Sequence, residues 1–368
     1  MERIRVAITQ GDTNGVGLEI ALKVFSDPTM FELCTPILYA NPRITTYHRK
    51  ACDLTTNFTT INHADEARPD RLNVLVVSDD EVPVQFGQES ADAGKQALLA
   101  LEAAITDFKY GKVDVLVTAP INKHTIQGDG FHFPGHTEYI QSSVGEGKEA
   151  LMVLMNETMR VALLSTHLPL AQVPQAITEA NILEKLQLLN VSLKRDFGIE
   201  KPRIAVLGLN PHAGDSGLLG REEQEIIAPA IERAYNELRI HAFGPYAADG
   251  FFGAHQYAHY DGILAMYHDQ GLAPFKALVM NDGVNFTAGL PLVRTSPDHG
   301  TAFDIAGKGV ADENSMRQAI FAAMDVYRNR MRFDEANQHP LEELYHKRRE
   351  NDNPNRRPPM NFAQRDEA

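Results

Sequence analysis

Short apolar runs alternate along the chain with longer stretches in which apolar residues recur every three or four positions. The short runs predict strands at Arg5–Thr9, Pro36–Ala40, Asn73–Val77, Val113–Thr118, Leu151–Met155, Val161–Ser165, Arg203–Leu209 and Ile263–Tyr267. Several are apolar on both faces, as parallel strands are when helices cover each side. The longer stretches predict helices over Gly17–Phe25, Ala91–Lys109, Ile177–Phe197, Glu222–Leu238 and Glu313–Arg332. This alternation predicts an α/β protein with a largely parallel sheet. From about His339 the pattern stops and the chain becomes charged and then rich in Pro, Asn and Arg. That segment has too little apolar surface to offset its ordering entropy, so residues 339–368 are expected to form a mobile tail.

Three of the apolar runs are each followed by a histidine in a polar setting: His167 in STHLPL, His212 in NPHAGD and His268 in MYHDQGL. Ends of parallel strands present side chains to a crevice. Three imidazoles with a fourth position open are the ligand pattern of a catalytic divalent metal such as zinc. One histidine at a strand end is more often a hydrogen-bonded structural residue, and the chain has 14 of them. The case rests on all three sharing one setting.

With 368 residues the chain exceeds a usual single core, so two domains are expected. The formal charge of −14 argues against a nucleic-acid partner, although a local cluster of Arg, Lys and N–H groups still holds an anion in an acidic protein. No apolar run is long enough for a membrane span. MERIRVAITQGD has no apolar signal region, so a cytoplasmic location is expected. Cys34 and Cys52 have no metal or redox spacing.

Several loops carry further chemistry. GDTNGVGLEI at Gly11–Ile20 lacks the spacing of a dinucleotide fingerprint or a P-loop, and reads equally as a packing turn or an anion loop. TAPINKH leaves Lys123 free to reach an anion. FPGHTEYI puts His136 and Thr137 at an expected helix start, where they act as anion ligands or as a cap. Asp269 and Lys276 follow His268; Asp269 is a candidate to orient a metal ligand or accept a proton. Asn285 and Arg294 follow in GVNF and PLVRTSPDHG, and Arg294 is a candidate bidentate clamp for carboxylate or phosphate. The loop His299–Gly309 supplies cofactor candidates His299, Gly300, Thr301, Asp304, Ile305 and Gly307. Asp304 would bind an adenosine ribose hydroxyl and repel a 2′-phosphate, predicting NAD over NADP.

In order along the chain, GDTNGVGLEI, TAP–K, GHTEYI, STHLPL, NPHAGD, MYHDQGL, GVNFTAGLP, RTSPDHGTA and DIAGKG resemble the 4-hydroxythreonine-4-phosphate dehydrogenase family, from about Ile4 to about Tyr327. DIAGKG also looks like the adenosine-binding loop of isocitrate and isopropylmalate dehydrogenases. The resemblance implies a two-domain α/β/α sandwich of that dehydrogenase type. The division expected is residues 1–125 with 305–335 as one domain and 126–304 as the other, the second carrying the metal and most substrate residues. It implies a homodimer whose active site lies at the subunit interface. A divalent ion (Zn, Mg, Mn or Co) is implied on His167, His212 and His268, contributed by both subunits. Substrate positions are implied at His136, Thr137, Lys276, Asn285 and Arg294. The implied reaction is NAD-dependent oxidation of 4-phosphooxy-L-threonine, followed by decarboxylation to 3-amino-2-oxopropyl phosphate on the way to pyridoxal phosphate. Asp249, Asp269 and Lys276 are candidates for proton handling.

The chain departs from the family pattern at Thr13 and Leu18, where prolines are usual, and at Asp215, where Glu is usual. A relative acting on threonate or erythronate 4-phosphate is the nearest alternative. Acyl-phosphate transfer and simple ligand binding are two others, and neither gives the three histidines a task.

Overall fold

The computed structural model describes residues 3–127, 133, 135–279 and 281–339. Past His339 the expected tail lies outside the described residues. Twelve strands form one sheet: β1 (Ile4–Thr9), β2 (Cys34–Ala40), β3 (Phe58–Ile61), β4 (Leu72–Val76), β5 (Val115–Thr118), β6 (Leu151–Met155), β7 (Arg160–Leu163), β8 (Arg203–Leu207), β9 (His241–Tyr246), β10 (Gly262–Ala265), β11 (Val284–Ala288) and β12 (Val293–Pro297). Their order is β3-β4-β2-β1-β5-β12-β11-β6-β7-β10-β8-β9. Neighbours are parallel except around β11, which runs antiparallel to β12 and β6, and between β6 and β7. The largely parallel α/β expectation holds. β3, β9, β11 and β12 are strands that apolar runs alone did not predict.

Helices cover both faces, giving an α/β/α sandwich. β2 is buried along its whole length, which is why CTPILYA reads as one apolar run. On one face Val6 and Ile8 join a continuous core with the helices Gly17–Val24, Glu179–Arg195 and Asn314–Ala336. On the other face the core divides into two clusters. Ala7, Ile37 and Leu116 pack with the helices Ala91–Lys109 and His136–Val144. Val161, Leu163, Ala205 and Ile263 pack with the helix His268–Leu278 and with Phe251. Side chains alternate between the faces of a strand, and on the central strands the positions facing the gap between these clusters are polar or mixed. Among the described residues no helix is long and apolar enough to cross a membrane.

The loop Gly11–Ile20 is buried throughout. Gly11 has φ +69°, and a Cβ there would meet the carbonyl of Pro120 at 2.4 Å. Thr13, standing where proline is usual, offers its carbonyl to His48 Nε2 at 2.8 Å. Of the two readings of this loop, the geometry is that of a packing turn.

Candidate active site

The gap between the two clusters is a pocket of about 240 Å³ over the central strands. Its floor follows from register. Thr287 pairs with Arg294 and Asn285 with Ser296 across β11 and β12, while Arg294 pairs with Leu116 on β5. Period-2 alternation sends Thr118, Asn285, Thr287, Arg294 and Ser296 to the gap side, and Val284, Phe286 and Val293 to the continuous core. All five substrate candidates, His136, Thr137, Lys276, Asn285 and Arg294, line this pocket, with Lys123, Glu138, His167, Asp298 and His299.

Arg294 is only 3% exposed. Its Nε and Nη2 donate to Thr118 Oγ1 at 3.0 and 2.7 Å, and Nη1 donates to Thr287 Oγ1 at 3.3 Å. Among the described residues no carboxylate lies within ion-pair distance of it. Burial pushes the guanidinium down to about 10, with Glu138 opposing. A buried cation held by neutral partners alone is electrostatically incomplete and suits an anion.

His136 and Thr137 open the helix His136–Val144, so its free N–H groups face the same region. His136 Nδ1 lies 3.3 Å from Arg294 Nη2. Burial, then Arg294 and Lys123, hold this imidazole well below its ordinary value, and hence neutral. The Asn285 side-chain oxygen is buried without a partner among the described residues, which leaves an acceptor for a ligand donor. Lys276 Nζ sits 3.1 Å from Asp298 Oδ1.

The three histidines follow β7, β8 and β10, and β10 lies between β7 and β8 in parallel pairing with both. They therefore leave the same edge of the sheet. The His167 and His268 rings are 6.3 Å apart between centroids, and both side chains are partly open, at 44% and 42% exposure. Asp269 Oδ1 lies 2.7 Å from His268 Nδ1 and Glu138 Oε1 lies 3.6 Å from His167 Nδ1, so carboxylates orient both rings. His212 is exposed on a left-handed turn in which His212, Ala213, Gly214, Asp215 and Ser216 all have positive φ. Residues held in that region are strained and cluster at functional sites. Among the described residues no group of three or more His, Cys, Asp or Glu in one chain is placed to hold a metal. The chain brings His167 and His268 together and leaves His212 apart.

The remaining candidates are dispersed. Asp269 is exposed beside His268, and Asp249 is exposed in the helix Ala248–Gly253, away from the pocket. His299 and Gly300 line the pocket, and Thr301 accepts from the Val16 N–H at 3.0 Å. Asp304 is exposed, and Ile305 lines a neighbouring cavity. Gly307 has φ +75° and packs so tightly on Phe86 that a Cβ would lie 2.4 Å from the ring. Glu138, Asp298, Thr118, Thr287 and Ser296 were not anticipated. For Thr287 the signal is the apolar–polar alternation of VNFTA, and for Ser296 it is the polar run Arg294–Ser296 in VRTSP.

The family model described as pyridoxal phosphate biosynthetic protein PdxA matches residues 32–323. A 4-hydroxythreonine-4-phosphate dehydrogenase of Bacteroides thetaiotaomicron is 60% identical over 348 residues, covering 95% of each chain. A protein of Oceanobacillus iheyensis, provisionally named a D-threonate 4-phosphate dehydrogenase, is 38% identical over 87% of this chain and 97% of its own. The crystal structure of a 4-hydroxythreonine-4-phosphate dehydrogenase from Klebsiella pneumoniae superposes with a TM-score of 0.77 at 34% identity, covering 89% of this chain and 98% of that one.

Proposed function

The chain belongs to the PdxA family of pyridoxal phosphate biosynthesis, and on that basis we propose how its residues carry out the family's chemistry. It is an oxidoreductase, a dehydrogenase of 4-hydroxythreonine 4-phosphate. The observation that carries the site assignment is Arg294, a buried cation with no carboxylate in ion-pair distance among the described residues, in a pocket that also holds a helix N-terminus and His167. In this reading Arg294, His136 and Thr137 hold the substrate phosphate, and Asn285 and Lys276 hold its other polar groups. Charge-assisted bonds of this kind are the strong ones.

His167 and His268 suit a divalent ion, since their rings are open and each is oriented by a carboxylate. A metal bound there supplies Lewis acidity to the substrate alcohol and to the ketone that replaces it. We assign the third position to His212 of a second copy of the chain, in a homodimer. Exposed leucines beside both histidines support this: Leu168 and Leu170 follow His167, and Leu218 and Leu219 follow His212, with Leu170 at 68% and Leu218 at 78% exposure. Large exposed apolar groups clustered at a site mark an interface.

A dehydrogenase of this family calls for a nucleotide cofactor. We assign NAD to the His299–Gly307 loop, including Gly300, Thr301 and Ile305, with Asp304 disfavouring a 2′-phosphate. Asp269 orients His268 and, with Asp249 and Lys276, remains a candidate for moving protons. We divide the chain into residues 1–125 with 305–335 and residues 126–304, with the helix His136–Val144 crossing to the first lobe's cluster. A cytoplasmic location accords with this metabolism.

After oxidation the 2-amino-3-oxo acid would lose CO₂ to give 3-amino-2-oxopropyl phosphate. The test is dinucleotide reduction measured with 4-phosphooxy-L-threonine, D-threonate 4-phosphate and D-erythronate 4-phosphate, each with Zn, Mg, Mn or Co. Faster turnover of threonate 4-phosphate would overturn the substrate assignment.

A further inference from the structure

The pocket over the central strands and a second cavity of about 240 Å³ share two residues, Asp298 and His299. The second cavity is walled by Val16, Ile20, Ala302, Ile305 and Asp312, so it lies along the loop assigned to the cofactor. His299 thus stands where substrate and cofactor sides adjoin. Its Nδ1 is 2.9 Å from the carbonyl oxygen of Gly300. A carbonyl only accepts, so Nδ1 carries a proton, and in the neutral form of the ring that places the lone pair on Nε2. Nε2 is buried and has no hydrogen-bond partner among the described residues. An acceptor left unpaired inside a protein is costly and calls for a group that completes it.

We propose that His299 Nε2 is the proton acceptor for the substrate's secondary alcohol. This rests on the dehydrogenase reading above. The alcohol O–H bond breaks with its proton passing to Nε2. The carbinol C–H bond breaks with its electron pair leaving as hydride to the nicotinamide dinucleotide. The C–O bond becomes a carbonyl, and His299 becomes an imidazolium still bonded through Nδ1–H to Gly300.

The surroundings favour that change. Asp298 is adjacent; burial raises its carboxyl, opposed in part by Lys276 and then by His299. Other groups are less suited. The Lys276 ammonium, engaged by Asp298 Oδ1, has no lone pair to offer. Glu138 is directed at His167, and Asp269 at His268. On the substrate side the charged groups are Lys123, Glu138, Lys276 and Arg294, with the His136 and His167 imidazoles beside them; Asp298 borders both sides, and Asp312 lies on the cofactor side.

Two measurements test the proposal. In the ligand-free wild type, ¹⁵N NMR of labelled histidines should show His299, assigned by its loss in His299→Gln, as the Nδ1–H tautomer. An Nε2–H tautomer would overturn the proposal without any variant having to fold or turn over. With dinucleotide saturating, His299→Gln and His299→Ala should lower kcat about 10²–10⁴-fold, as for loss of a general base, whatever change they bring to dinucleotide affinity by calorimetry. Added imidazole should restore part of the His299→Ala rate. Weakened dinucleotide binding with kcat intact, repaired in His299→Gln, would make His299 a cofactor acceptor and refute the base. Wild type that neither binds dinucleotide nor oxidises a phosphorylated four-carbon acid would instead refute the dehydrogenase reading itself.

Discussion

Replacing Arg294 by Met removes a guanidinium that the fold buries with no carboxylate in ion-pair distance among the described residues, so it should separate binding from stability. If this group holds the substrate phosphate through two charge-assisted bonds, each contributing about 1.5–3 kcal/mol, the loss is about 3–6 kcal/mol. At 1.36 kcal/mol per tenfold change, that raises KM for the phosphorylated substrate by roughly a hundredfold to ten-thousandfold. On the stability side, three hydrogen bonds to Thr118 and Thr287 disappear. Their net contribution is offset by relief of the desolvation of an unpaired cation. Arg294→Met is therefore expected to melt at or above the wild-type temperature.

Initial-rate kinetics against substrate concentration and a thermal melt together read the two effects. Arg294→Lys keeps the charge and loses the fork, so its KM should lie between the other two. Inorganic phosphate should raise the wild-type melting temperature and leave that of Arg294→Met unchanged, because a ligand stabilises only the form that binds it. A several-degree fall in melting temperature with KM unchanged would refute the reasoning and make Arg294 a structural residue.

His268 is open to solvent and buries little, so His268→Ala should keep the wild-type melt while losing metal-dependent turnover and metal affinity by calorimetry; near-normal activity would remove it from the ligand set. Asp304→Ser should shift the ratio of kcat/KM for NAD and NADP toward NADP, and an unchanged ratio would mean that Asp304 does not meet the ribose. Burial holds His48 down to about 4, partly opposed by the Thr13 carbonyl and Glu19. Its ordinary value is 6.5, so the unfolded chain binds the extra proton first as pH falls. Stability from His48 is complete above about pH 6.5 and is lost toward pH 4, by about 3 kcal/mol. Urea midpoints measured across that range should show the slope, and His48→Asn should reduce it without abolishing it, because His136 is lowered in the same direction.

The architecture was legible where burial is two-sided. β1, β2, β4, β5, β6, β7, β8 and β10 carry apolar runs, and each was anticipated to within a few residues. Helices with a stripe of buried positions, such as Ala91–Lys109 with Ala93, Ala97, Ala100, Leu101 and Ala104 inward, were equally plain. The helix His268–Leu278 was not anticipated, since Asp269 and Gln270 at its start and Pro274 within it mask its periodicity. The histidines could be placed at strand ends because each follows such a run. Their adjacency could not, because it depends on β10 inserting between β7 and β8, a crossover that local pattern does not encode.

β11 and β12 are the instructive failures. VNFTA alternates apolar and polar residues, and VRTSP carries three polar residues in a row, in the middle of a sheet whose flanking strands are apolar on both faces. An edge strand with one wet face would read the same way. The interior position and the alternation together mean that polar side chains point into the protein, and that is tolerable only where a ligand or a network completes them. Asn285, Arg294 and Ser296 are those side chains, and each lines the pocket. The residues that hid these strands from the sequence reading are thus the ones that make the site, as expected where function overrides local consistency. His299 extends the same reasoning. It lies two residues beyond β12, with one ring nitrogen that has no partner among the described residues, at the point where the polar face of the sheet passes into the cofactor loop.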